Sequence, residues 1–353
     1  MSYASAAAYQ TDFDQLTHGN TGWIHADGYV PTRLTDRRTA WWMSDTDVGT
    51  VNANNSANPE GSVHNSLVLQ EPTCLRPKLG GQAHQWTDLI PAPAGRWYWP
   101  GSTVIENDTL LVFAYVMGPG SNPPPFNFTV HGTAVVRYHL PDLALQGVTN
   151  LPVQNAPQVP YNGGLIPWGI RSVRAADGNV YLYGTTRRSD LGPADVWVAR
   201  APFAQVTTPS SWQYYTGLPS PLDWNSDFTL AQPMTFTGTL QQNQDDIKAP
   251  LGQLSVAAYG SKYVAAASSD VLDTRIRAWI ADSPEGPWNY LGVVATEVVR
   301  SGQIGYDARL VNLTGAGWTG VYSVNGDPHK NDDVTLYRGQ FATPNAGVLP
   351  PAP

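Results

Sequence analysis

Two short stretches carry the residues best suited to chemistry. Trp41-Trp42-Met43-Ser44-Asp45-Thr46-Asp47-Val48-Gly49 runs from adjacent tryptophans into two carboxylates one residue apart, and a glycine closes it. Upstream, Trp23-Ile24-His25-Ala26-Asp27-Gly28 has the same shape. An apolar run that ends in acids predicts a buried strand delivering charge to an opening at its end. Asp27 and Asp45 are therefore expected to face each other in a sugar-binding cleft. Cleavage of a glycosidic bond needs such a pair, one as acid and one as base or nucleophile. The two must sit in unlike surroundings, so that one keeps a proton while the other is ionised. Desolvation by Trp41 and Trp42 points to Asp45 as the proton-bearing partner and to Asp27 as the base. A pair of turn-capping aspartates is the bland alternative.

Further residues can serve such a cleft. Asp47 can steady developing charge, hold a cation, or merely cap the Val48-Gly49 turn. His64 and Asn65 open the next strand, where they can bind sugar hydroxyls or simply satisfy a sheet edge. Trp99, Trp168 and Tyr306 fall at strand beginnings; an aromatic face there stacks on a sugar, or packs a core. Arg171 and Arg309 occupy matching positions in two units, suited to a hydroxyl, a carboxylate or a structural ion pair. Other chemistries fit poorly. There is no phosphate loop of the Walker type and no dinucleotide glycine pattern after a strand. None of the seven histidines pair at zinc-ligand spacing on a helix. Cys74 is the lone cysteine. The oxygen-rich run Asp327-Pro328-His329-Lys330-Asn331-Asp332-Asp333 suits a structural Ca²⁺ or a solvated hairpin tip, but lacks the glycine and glutamate of an EF-hand loop. No cofactor is required.

The elements that must position these residues are short strands bounded by Gly, Pro, Asn and Asp, with no helical periodicity beyond two turns. A unit of three or four strands recurs, beginning near Ile24, Trp97, Ile166, Gln253 and Gly305. Five such sheets predict an all-β, five-bladed β-propeller forming a single domain, with the starts of the inner strands lining one central hollow. Residues 1–22 are an N-terminal segment, 23–345 the propeller and 346–353 a tail. Pro-rich insertions at 118–125 and 154–162 are expected as loops near the cleft.

Composition agrees. There are 33 glycines and 30 prolines in 353 residues, above the roughly 12% average, and charged residues are only 14% against a usual ~25%. With 13 tryptophans and 17 tyrosines, the chain has ample material for an aromatic-lined site. A net charge of -8 argues against nucleic acid or anionic lipid as a partner. No run of apolar residues is long enough for membrane insertion. The first residues lack the basic and apolar regions of a leader. The expected location is extracellular or cell-wall associated, with a leader removed or the protein phage-borne.

The ordered set of motifs resembles glycoside hydrolase family 183, the actinobacterial endo-D-arabinanases. Its carriers are the Asp27-Gly28 turn, the Trp41 to Gly49 run, His64-Asn65-Ser66, Trp168-Gly169 before Val180-Tyr181-Leu182-Tyr183-Gly184, Ala199-Arg200-Ala201-Pro202 before Ser211-Trp212, Gly286-Pro287-Trp288, and Tyr322-Ser323-Val324-Asn325. They span nearly the whole chain in order. Ser44-Asp45-Thr46 stands where many relatives have Gly-Asp-Thr. The resemblance implies endo-cleavage of α-linked D-arabinofuranosyl chains in mycobacterial arabinogalactan and lipoarabinomannan. It also implies Asp27 and Asp45 as the working acids and Asn325 as a residue lining the site. Analogy with other five-bladed glycosidases adds an expectation of inversion. A sugar-binding propeller without catalysis, and an L-arabinan or xylan hydrolase, are the alternatives.

Overall fold

The computed structural model describes residues 5–121, 123, 127–157, 164–187, 194–237, 254–270, 273–312, 317–326 and 331–349. The sheets follow one another along the chain as five blades around an axis, so the fold is an all-β five-bladed propeller. Blade one holds β2 (Val30–Arg33), β3 (Thr39–Met43), β6 (Ser66–Gln70) and β7 (Leu75–Lys78). A three-stranded sheet beside it is built from β1 (Gly22–Ala26), β4 (Thr46–Val51) and β5 (Ala57–Val63). Blade two is a four-stranded antiparallel meander from Trp97–Glu106 to Ala144–Asn150. Blades three, four and five begin with the inner strands Arg171–Arg174, Ser255–Tyr259 and Ile304–Val311.

Each pair of neighbouring blades shares an apolar core, and this is what holds the ring together. Trp42, Leu67 and Leu69 of blade one pack on Leu110, Val112 and Val136 of blade two. Trp168, Leu182 and Trp197 of blade three pack on Leu111, Phe113 and Val135 of blade two. Tyr183 and Val198 meet Ala265 and Trp279 between blades three and four. Ile276 and Val294 meet Leu310 and Val324 between blades four and five. The strands alternate so that successive side chains feed opposite faces, and each buried sheet serves two such cores.

The fifth junction, between blades five and one, recruits a helix that the sequence reading did not predict. Helix α1 (Ala6–Thr17) is three turns long and is N-capped by Ser5, whose hydroxyl accepts from the Ala8 N–H at 3.2 Å. Tyr9, Phe13 and Leu16 form its buried stripe and join Trp23, Tyr29, Trp41 and Val321 in one cluster. Phe13 stacks on Phe341 at 5.5 Å between centroids and meets Trp41 edge-on at the same distance. The first inner strand also differs from expectation. It is β2, starting at Val30, whereas the segment from Gly22 to Ala26 belongs to the flanking sheet. The starting residue expected for the fourth unit, Gln253, lies outside the described residues, as do parts of the insertions 118–125 and 154–162 and residues 327–330 of the acid-rich run. Among the described residues, no helix is long and apolar enough to cross a membrane.

Candidate active site

The two acids sit where a β-ribbon changes sheets. β1 pairs with β4 on one side of the change, and β2 pairs with β3 on the other. Asp27 lies in the β1–β2 junction and Asp45 in the β3–β4 junction. The junctions are tied back to back, with the Asp27 N–H donating to the Asp45 carbonyl at 3.1 Å and the Ser44 N–H to the Asp27 carbonyl at 2.9 Å. The two acids therefore sit on adjacent segments joined by backbone hydrogen bonds. Gly28 makes the close approach feasible. Its φ is +69°, and a Cβ there would meet Ser44 Oγ at 2.5 Å.

The surroundings of the two carboxyls differ. Asp27 receives a hydrogen bond from the Tyr306 hydroxyl on Oδ2 at 2.8 Å. Its Oδ1 is buried and has no hydrogen-bond partner among the described residues. Burial, then the charge of Asp45 and that of Asp307, push the Asp27 pKa up to about 8, against the opposing hydroxyls of Tyr306 and Tyr337. Asp45 is more open, its side chain 39% exposed. Its Oδ1 accepts from Trp99 Nε1 at 2.8 Å and lies 2.9 Å from His64 Nδ1. Burial opposes the charge on His64, but its hydrogen bond to Asp45 and the charges of Asp45 and Asp88 outweigh that, so its pKa is raised. The carboxyl whose pKa burial raises is Asp27, whereas the sequence reading assigned the proton to Asp45. Trp41 and Trp42 do not desolvate Asp45, because each is fully buried in an interblade core. The residue set up to hold a proton near neutrality is Asp27.

Aromatic walls rise around the pair. His64 stacks on Trp97 at 4.5 Å, Trp97 meets Trp99 at 6.5 Å, and Trp99 meets Phe128 edge-on at 4.9 Å. From blade five, Tyr337 donates to the Asp45 carbonyl at 3.0 Å. Trp97, Phe128 and Tyr337 were not singled out from sequence, nor was Asp88, which accepts from the His64 N–H at 2.7 Å. Trp97 and Phe128 come from blade two, Tyr337 from blade five and Asp88 from the segment leading into blade two, and no local spacing links them to the acids.

His64, Trp99 and Tyr306 therefore converge on the two carboxyls. Asn325 ends its strand opposite Tyr337 and is half-buried. Four other residues expected to touch substrate are placed elsewhere. Trp168 is 0% exposed and packs against Trp212 and Tyr214 in the core between blades two and three. Asn65 is also 0% exposed; it braces backbone, donating to the Tyr98 carbonyl at 3.1 Å and accepting from the Ile90 N–H at 2.6 Å. Asp47 is buried against His25 Nε2 at 2.9 Å. Arg171 is buried and shares Asp307 with Arg309, at 2.7 and 2.6 Å respectively.

Known structures share the fold. A Bacteroides ovatus protein ascribed hydrolase activity superposes with a TM-score of 0.69 at 19% identity, over 94% of this chain and 88% of that one. The GH43_1 enzyme from Xanthomonas citri, solved with xylose, gives 0.53 at 12% identity over 94% and 92%. CoXyl43, a GH43 β-xylosidase/α-arabinofuranosidase from a compost metagenome solved with xylotriose, gives 0.56 at 15% identity over 92% and 93%. At these identities the likeness concerns the propeller. No curated protein matches the sequence. A family model does match, across residues 10–339, and by it the chain belongs to the domain of unknown function DUF5005.

Proposed function

We propose that this protein is a glycoside hydrolase that cleaves inside α-linked D-arabinofuranosyl chains, with Asp27 as general acid and Asp45 as the ionised partner. The observation that carries the proposal is the asymmetric acid pair. One carboxyl has a buried oxygen and a pKa raised to about 8, chiefly by desolvation, and its neighbour is more open and held by an indole N–H and an imidazole. That division of labour is what glycosidic cleavage requires. Asp27 would donate its proton to the leaving oxygen. Asp45 would activate water for inversion, the proposed course, and Trp99 and His64 keep it oriented. The aromatic faces of Trp97, Trp99 and Phe128 suit the apolar side of a furanose ring.

The choice of D-arabinan, in arabinogalactan or lipoarabinomannan, rests on the ordered motifs from Asp27 to Asn325. An extracellular or cell-wall setting follows from that substrate. No cofactor enters the mechanism. Incubation with purified arabinogalactan, lipoarabinomannan, L-arabinan and xylan tests both reaction and sugar. Oligosaccharides released from the first two alone are the expected result. Products from xylan or L-arabinan would move the substrate, and binding without products would leave a lectin-like propeller. Asp27→Asn and Asp45→Asn should each lower turnover by about 10²–10⁴-fold while leaving the protein folded by circular dichroism. Proton NMR of the first product reports its anomeric configuration.

A further inference from the structure

The propeller axis carries a second polar feature that the acid pair does not use. A cavity of about 190 Å³ lies between the inner strands, and its lining includes Ser102, Thr103, Arg171, Ser172, Ser255 and Arg309. Among the described residues, no carboxylate lines it. The two arginines are 4% and 5% exposed. Each donates through Nη2 to Asp307 and through Nη1 to the same acceptor, the Gly101 carbonyl, both at 2.9 Å. Arg171 Nη1 also reaches the Ile170 carbonyl at 2.7 Å. The Nε of each arginine is buried with no acceptor among the described residues.

Among the described residues, two guanidiniums share one carboxylate, and each takes one oxygen of Asp307. Asp27 lies across Tyr306, and burial, its largest cause, raises its pKa to about 8. A buried, unmatched guanidinium is unfavourable, since arginine cannot shed its proton. The polar side chains facing the hollow are hydroxyls, guanidiniums and Asn312. Ser102 and Ser255 already donate to backbone carbonyls, so the donors left for an anion are the guanidinium N–H groups, the two buried Nε–H among them. A liquid water claims about 30 Å³, so the cavity has room for a small ion with several waters.

We propose that this axial cavity binds a small inorganic anion, of the size and charge of chloride, against Arg171 and Arg309. The ion completes the neutralisation that Asp307 begins, and so fixes the strand on which Tyr306 and Asp307 sit. The site is independent of whether Asp27 and Asp45 cleave a glycosidic bond.

Two measurements on the whole protein decide it. Thermal unfolding is followed as gluconate is replaced by chloride at constant ionic strength, and crystals are soaked in bromide for anomalous scattering. A saturable rise in Tm of about 2–4 °C is expected, because a ligand that binds only the folded state stabilises it by mass action. A bromide peak in the cavity beside Arg171 and Arg309 is expected with it. Arg309→Met, which leaves Arg171 matched one to one with Asp307, should lose the chloride response. A Tm that is the same in both salts overturns the proposal, as does bromide found only on the outer surface. Both wild-type readouts stand even where the variant does not fold.

Discussion

Asp27 and Asp45 are alike as residues and differ only in what covers them. Asp27 has its pKa raised to about 8 by burial and by neighbouring charge. As general acid it must be protonated, so kcat/KM should fall as pH rises through about 8; a profile flat to pH 10 would remove Asp27 from that role. Stability carries the same signature. The folded-state pKa exceeds the ordinary 3.8, so the native chain binds the extra proton. The stabilisation from that proton is complete below about pH 4 and is lost as pH rises towards 8. Asp27→Asn cannot ionise, so its Tm relative to wild type should rise between pH 5 and pH 9. For Asp45 the relevant contact is the Trp99 indole at 2.8 Å. Trp99→Phe keeps the aromatic face and deletes the N–H. A hydrogen bond to a charged group is worth about 1.5–3 kcal/mol, which predicts a kcat loss of roughly 10–100-fold with KM little changed. A loss confined to KM would make Trp99 a binding platform instead.

At the scale of elements, the ribbon from β1 through β4 does the positioning, and part of it was legible in the sequence. The apolar runs ending in Asp27 and Asp45 announced strands that stop at acids, and they do stop there. Hidden from sequence was the change of sheet, because side-chain period says which face a residue takes but not which partner strand it meets. That is why β2, with the unremarkable sequence Val-Pro-Thr-Arg, and not the Ile24 segment, is the inner strand. It is also why Trp168 and Asn65 read as rim residues although neighbouring structure covers them. Helix α1 escaped notice for a related reason: its stripe is only Tyr9, Phe13 and Leu16, set among alanines and polar residues. Gly28 tests the ribbon directly. Gly28→Ala forces a Cβ onto Ser44 Oγ and a left-handed φ on alanine, at a cost of about 1–2 kcal/mol. The larger effect should be on turnover. Spreading the two junctions separates the carboxyls, so kcat should drop by at least about tenfold even where urea unfolding shifts modestly. A variant with ordinary kcat would show that the site tolerates a looser ribbon.

Across the whole molecule, the site belongs to no single blade. Asp27 and Asp45 come from the first, Trp97 and Trp99 from the second, and Tyr306 and Tyr337 from the fifth. A propeller must therefore keep its first and last blades together to keep this chemistry together. Four blade junctions are sheet against sheet, whereas the fifth adds α1, with Phe13 wedged among Trp23, Tyr29, Trp41 and Phe341. Asp14 of the helix also pairs with Arg338, the residue after Tyr337. Truncating a fully buried phenylalanine costs about 3–5 kcal/mol, so Phe13→Ala should lower the urea midpoint by that equivalent. Closure and the acid pair are linked through Tyr337, which donates to the Asp45 carbonyl from the other side of the seam. Below its unfolding transition, Phe13→Ala should therefore also lose turnover, although Phe13 touches neither acid. A matched truncation in a core remote from the seam, such as Trp279→Ala between blades three and four, serves as control. It should destabilise comparably and spare kcat in the folded protein. Equal kcat losses in the two variants would mean that the site responds to global loosening and not to the seam.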